Sequence, residues 1–159
     1  MLKRKKKPQS KKKRSSEQRP QNSSRKLVTS KNAAILTSIL PWLCVRGGPR
    51  AIEFYKSAFG AKEVFRMGDS SSVVARLSIE GAEFWLSDES PEHFNFSPES
   101  LGGITVRMIL TVGDPDAVFA RAIQAGAKEV YPVTEEHEWR IGRAVDPFGH
   151  HWEIGRPLS

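Results

Sequence analysis

Apolar positions along the chain fall into two series of the same form. In the first, Ile35–Val45 reads as a strand closed by the turn Arg46-Gly47-Gly48-Pro49. Ile52, Tyr55, Ala58 and Phe59 then recur at helical spacing, and Gly60 supplies a stop. Three predicted strands follow, Lys62–Met67, Ser72–Ile79 and Glu83–Ser87, divided by turns at Gly68-Asp69-Ser70 and Glu80-Gly81-Ala82. The second series repeats this order: strand Thr105–Val112, helix Asp116–Ala125, then strands at Glu129–Pro132, Trp139–Val145 and His151–Gly155. Asp114 is placed to cap the second helix, with Pro115 at its first position.

The two series are copies of one unit. Gly60-Ala61-Lys62-Glu63-Val64 returns letter for letter as Gly126-Ala127-Lys128-Glu129-Val130. Upstream, Leu43, Val45, Pro49, Ala51 and Ile52 align with Leu110, Val112, Pro115, Ala117 and Val118, with one residue dropped in the loop. Each unit is βαβββ, so the expected class is α+β, with two helix-covered sheets pairing into a cupped half-barrel, helices outside and a site between the halves. Residues 34–159 form the expected domain: module one at 35–89, a linker at 90–103 rich in Ser, Pro and Glu, and module two at 104–157.

Charge separates a tail from this domain. Twelve lysines and arginines fall in the first 26 residues against Glu17 alone, whereas the whole chain carries only +7, so the remainder is mildly acidic. With almost nothing to bury, residues 1–33 are expected to be disordered and to make nonspecific contact with polyanions such as phosphate backbones or anionic membrane surfaces. No aromatic residue interrupts the tail, so base stacking has no platform there. A solubilising leader, or a start of translation nearer Leu27 or Val28, is the plainer reading. No apolar run approaches the ~18 residues of a membrane span, and a cytoplasmic location is expected. Cys44 is the only cysteine, which excludes an intrachain disulfide; its apolar surroundings predict a buried, inert thiol.

Four stretches carry a family likeness: Pro41-Trp42-Leu43-Cys44-Val45, Ala51 to Ala61, Ser97 to Gly103, and Asp146-Pro147-Phe148-Gly149-His150. Together they resemble the PhnB-like branch of the vicinal-oxygen-chelate superfamily, which includes glyoxalases, bleomycin-resistance proteins and ring-cleaving dioxygenases. The likeness covers residues 35–157. Structural roles come first for these motifs: Phe54, Tyr55 and Phe59 as a helix face packed on a sheet, and Asp146–Gly149 as a tight turn.

The resemblance implies a divalent metal held by His, Gln or Glu on the first and last strands of both modules. Carried over by register, those positions are Leu40, Trp85, Arg107 and Glu153, of which only Glu153 can ligate a metal. Arg107 and Glu153 would instead pair with each other, or Arg107 would await an anion. His151 and Glu153 share a strand face and are the one remaining metal candidate, whereas adjacent His150 and His151 point to opposite faces. His93, His137 and the acidic stretch around them read as solvated loops.

What is left is an aromatic cup, with Leu40, Trp42, Trp85, Arg107, Trp139 and Glu153 as candidate ligand contacts. The leading expectation is a bleomycin-resistance-like module, homodimeric, that binds a small aromatic or anionic molecule without turnover and without the standard metal centre. The alternative is a metal-dependent glyoxalase- or dioxygenase-type enzyme, a lyase or oxidoreductase, using a different ligand set. A third is an interaction protein localised by its tail. The cup could close within one chain or by exchange of modules between two.

Overall fold

Among the described residues, eight strands lie in two four-stranded sheets whose strand orders are identical. In this computed structural model, which describes residues 37–69 and 71–159, Ser38–Ser159 is one compact unit. The expected basic tail lies outside the described residues.

Module one contains β1 (Trp42–Val45), α1 (Gly48–Phe59), β2 (Lys62–Gly68), β3 (Val73–Ile79) and β4 (Ala82–Asp88). Its sheet runs β1-β4-β3-β2, with β1 parallel to β4 and the other pairs antiparallel. A connecting stretch with a short helix, α2 (Pro98–Leu101), leads to module two: β5 (Met108–Thr111), α3 (Pro115–Gln124), β6 (Lys128–Glu136), β7 (Trp139–Val145) and β8 (His151–Pro157). The second sheet, β5-β8-β7-β6, reproduces the same pairing pattern. The duplicated βαβββ unit expected from sequence is therefore present, in the α+β class.

The turn into α1 depends on glycine. Gly47 has φ 87°, and at Gly48 a β-carbon would collide with Val73 and the Asp88 carboxylate. That close approach lets Asp88 Oδ1 accept from Gly47 N at 3.1 Å and Gly48 N at 2.7 Å, which satisfies the start of the helix. The start of α3 is closed as predicted, with Asp114 Oδ1 accepting from Ala117 N at 3.0 Å.

Alternation decides which way each sheet faces. In β3, Val73, Ala75, Leu77 and Ile79 are buried and the residues between them are not; in β8, Trp152 and Ile154 are buried while His151 and Glu153 are half-exposed. The buried sides meet α1 and α3, which also pack on each other. Tyr55 and Phe59 of α1 reach across to Trp152 of β8, with ring centroids 5.6 and 4.8 Å apart, so one core runs through both modules. Each fully buried large apolar side chain here is worth about 1.5–3 kcal/mol. Each sheet thus has one face covered and one open, and the two sheets are not joined into a closed barrel.

Several boundaries differ from the sequence expectation. The first strand begins at Trp42, with residues 37–41 outside it and the expected start at Ile35 outside the described residues: Pro41 has no N–H to extend the ladder, and its carbonyl makes the last bond, from Trp85 N at 2.8 Å. β5 is likewise shorter than Thr105–Val112. β6 runs past Pro132 to Glu136 because it is an edge strand with register irregularities around Tyr131, where a missing donor costs nothing. The linker, to which the sequence assigned no element, contains a 3-10 turn at Pro91–His93 and α2, which Ser97 caps.

Candidate functional site

On the open face of the first sheet, Trp42 and Trp85 are direct neighbours across β1 and β4. Their rings stack with centroids 5.6 Å apart and 15° between planes, and Trp42 Nε1 donates to Ser87 Oγ at 3.0 Å. Phe65 meets the edge of Trp85 at 5.5 Å, and the Arg76 guanidinium lies 5.5 Å from the Trp85 ring centre. The Trp42 side chain is nevertheless 55% exposed, as is much of Phe65 and Met67. This is a large aromatic shelf that the described residues leave exposed. Cys44 lies beside Trp42 on the strand, half-buried, and burial pushes its thiol pKa up, which keeps it protonated and unreactive.

The open face of the second sheet contains a cavity of about 370 Å³ lined by Ile109, Tyr131, Trp139, Ile141, Glu136, His137 and Glu153. Arg107 Nη1 donates to Glu153 Oε1 at 2.6 Å, the ion pair expected from sequence. Further along, Arg143 directs Nε and Nη2 at His151 Nδ1, at 3.1 and 2.7 Å. That contact needs Nδ1 as an acceptor; partial burial, then the Arg143 charge, lower the His151 pKa and favour the neutral ring.

Of the candidates named from sequence, Trp42 and Trp85 come together on one sheet, and Trp139, Glu153 and Arg107 on the other. Leu40 does not join them. It precedes β1 and is half-buried, because Pro41 ends the ladder before the register can carry it onto the sheet face. Ile109, Tyr131 and Ile141, absent from the sequence candidates, line the cavity. Ile109 and Ile141 were accessible through alternation with the buried Leu110 and Gly142, whereas the irregular register of β6 hid Tyr131.

The standard metal arrangement does not fit these side chains. Leu40 and Trp85 have no donor atom for a hard cation, and Arg107 is bound to Glu153. His151 shares a face with Glu153 as expected, but its Nδ1 is occupied by a guanidinium that would repel a cation. Among the described residues no group of three or more His, Cys, Asp or Glu converges. His150 points the other way, as expected, with Nε2 2.9 Å from the Cys44 carbonyl oxygen.

A second cavity, of about 260 Å³, lies where α2 and residues 103–106 pass β1 and β5; Trp42, Phe96, Leu101 and Val106 are among its walls. Val106 and Ile109 are 67% and 63% exposed, so the apolar surface continues from the cavity onto the edge of the second sheet.

Residues 43–155 match the family model described as a Glyoxalase-like domain. The uncharacterized protein Rv0887c of Mycobacterium tuberculosis is 41% identical over 128 residues, covering 76% of this chain and 75% of the relative. Among solved structures, the Arabidopsis thaliana At5g48480 gene product has 33% identity and a TM-score of 0.60, covering 75% of this chain and 98% of its own. TioX from Micromonospora sp. ML1 has 26% identity and a TM-score of 0.62, with coverage of 77% and 99%.

Proposed function

This chain belongs to the glyoxalase-like domain family of the vicinal-oxygen-chelate superfamily, and from that premise we propose that it is a homodimeric small-molecule-binding protein acting without the standard metal centre. The ligand is aromatic and is held between the open face of the first sheet of one protomer and the open face of the second sheet of its partner. The four motifs quoted above favour the PhnB-like branch.

One observation carries the reading: Trp42 and Trp85 form a stacked, solvent-facing shelf on a sheet whose other side is packed core. A water-exposed pair of indoles is costly unless something covers it, and a flat ring system is the complement of such a shelf. Closing the two open faces together buries the shelf against the cavity that Trp139 lines.

Thermal melts of the full-length protein with a panel of planar aromatic compounds, followed by titration of indole fluorescence, test this. The expected result is saturable stabilisation, weakened about tenfold or more in Trp85→Ala, since hot-spot aromatics cost upward of about 2 kcal/mol on truncation. Unchanged affinity in that variant overturns the reading. So does stoichiometric, tight binding of Ni, Zn, Mn or Fe(II) that is lost in Glu153→Ala, which would restore the metal-dependent enzyme.

A further inference from the structure

Resting on that reading, we propose that the ligand presents an amine, carried as an ammonium group, and that Glu153 is the residue that receives it.

The cavity on the second sheet decides the chemistry. Glu153 contributes the more deeply placed of the two carboxylates in its lining and is only 13% exposed. Its Oε1 takes the bond from Arg107, and among the described residues no hydrogen bond reaches Oε2. A carboxylate near neutral pH only accepts, so the group that completes it must be a donor. Arg107 is 52% exposed and does not line the cavity. Arg143 faces Glu153 across the ladder yet turns its guanidinium to His151. Among the described lining residues, an anion entering here would meet two carboxylates, with His137 as the one side chain able to carry positive charge.

The walls agree with a cation. Trp139 and Tyr131 offer aromatic faces, which attract an ammonium group by roughly 0.5–2 kcal/mol each depending on desolvation. Glu136 stands at the rim with a second carboxylate. The hairpin that holds it is strained: His137 and Glu138 both have left-handed backbones, φ 49° and 63°, where glycine or asparagine is usual. That tight turn brings Glu136 and His137 to the mouth of the cavity.

Three naphthalene probes that differ in one substituent separate the possibilities: 2-naphthylmethylamine, 2-naphthalenemethanol and 2-naphthoate, titrated calorimetrically into full-length protein at low salt. The amine should bind about tenfold tighter than the carboxylate, with the alcohol between them. Glu153→Gln should cost the amine about tenfold and leave the alcohol unchanged. Arg107→Gln should tighten the amine about threefold by freeing Oε1, a sign opposite to that expected if Arg107 were an anion receptor. Should Glu153→Gln fail to fold, the exposed Glu136→Gln gives a second readout, a loss of about twofold that added salt erases. Equal or preferential binding of 2-naphthoate overturns the amine assignment while leaving aromatic binding in place. Failure of all three probes to bind overturns both.

Discussion

Asp146 holds four donors on two buried oxygens. Oδ1 accepts from Phe148 N and His150 N, both at 2.9 Å, and thereby shapes the turn. Oδ2 accepts from Tyr55 Oη at 2.7 Å and Trp152 Nε1 at 2.9 Å, which ties α1 of one module to β8 of the other. Burial, then the Asp146 charge, raises the Tyr55 pKa well above its usual value, so the phenol stays a donor. Removing the carboxylate orphans all four donors at once, three of them in buried bonds. Asp146→Ala is therefore expected to cost about 3 kcal/mol or more in urea denaturation, and Tyr55→Phe about 1–2 kcal/mol. A double-variant cycle should show the two coupled, and strictly additive losses would count against this account. The sequence Asp-Pro-Phe-Gly announces the turn because turn chemistry is local. Its bond to Tyr55 spans 91 positions and has no sequence signature.

The connecting stretch between the modules is pinned rather than loose. Glu89 Oε2 accepts from Ser100 Oγ at 2.6 Å, Ser97 Oγ at 2.7 Å and Ser97 N at 3.0 Å, while Oε1 takes Arg46 Nε at 2.6 Å. Those donors, Ser100 first, then Ser97 and Arg46, hold the Glu89 carboxyl down to about 2 from an ordinary 4.5. A carboxyl whose folded pKa is depressed stabilises the fold above its unfolded pKa and loses that contribution as acid protonates it. Stability should thus fall as pH drops from about 4.5 toward about 2, and Glu89→Gln should flatten that part of the acid limb in melts recorded against pH. An unchanged acid limb would exclude Glu89 as its source. Composition gave no hint of this lock, because Ser-, Pro- and Glu-rich segments read as open loops until a long-range partner such as Arg46 is known. Strands and helices with clean periodicity, β3 and α1 among them, were legible for the opposite reason: one face of each is fully buried, so burial imposes the period. Strand ends were not. Pro41 and Pro132 act through their place in the ladder, the first ending β1 and the second tolerated in an edge strand.

The repeat predicted two matching halves, and both are there, yet which faces they show each other depends on packing that one module's sequence does not contain. Helix α1 buries its face against its own sheet and against α3, while the Trp42–Trp85 shelf and the Trp139–Glu153 cavity lie on the open faces of two separate sheets. In the proposed dimer each cup then draws one sheet from each protomer. Complementation makes that geometry measurable. Trp85→Ala damages only the first sheet and Trp139→Ala only the second, so neither homodimer retains an intact cup. A mixed dimer has one cup with both defects and one with none. After equal mixing and exchange of subunits, half the dimers are mixed, and about one quarter of all cups should bind ligand with wild-type affinity. Fluorescence titration of the mixture, with light scattering to confirm the dimer, should therefore recover about a quarter of the wild-type tight-binding amplitude. Zero recovery from demonstrably mixed dimers would mean that each cup is built within a single chain.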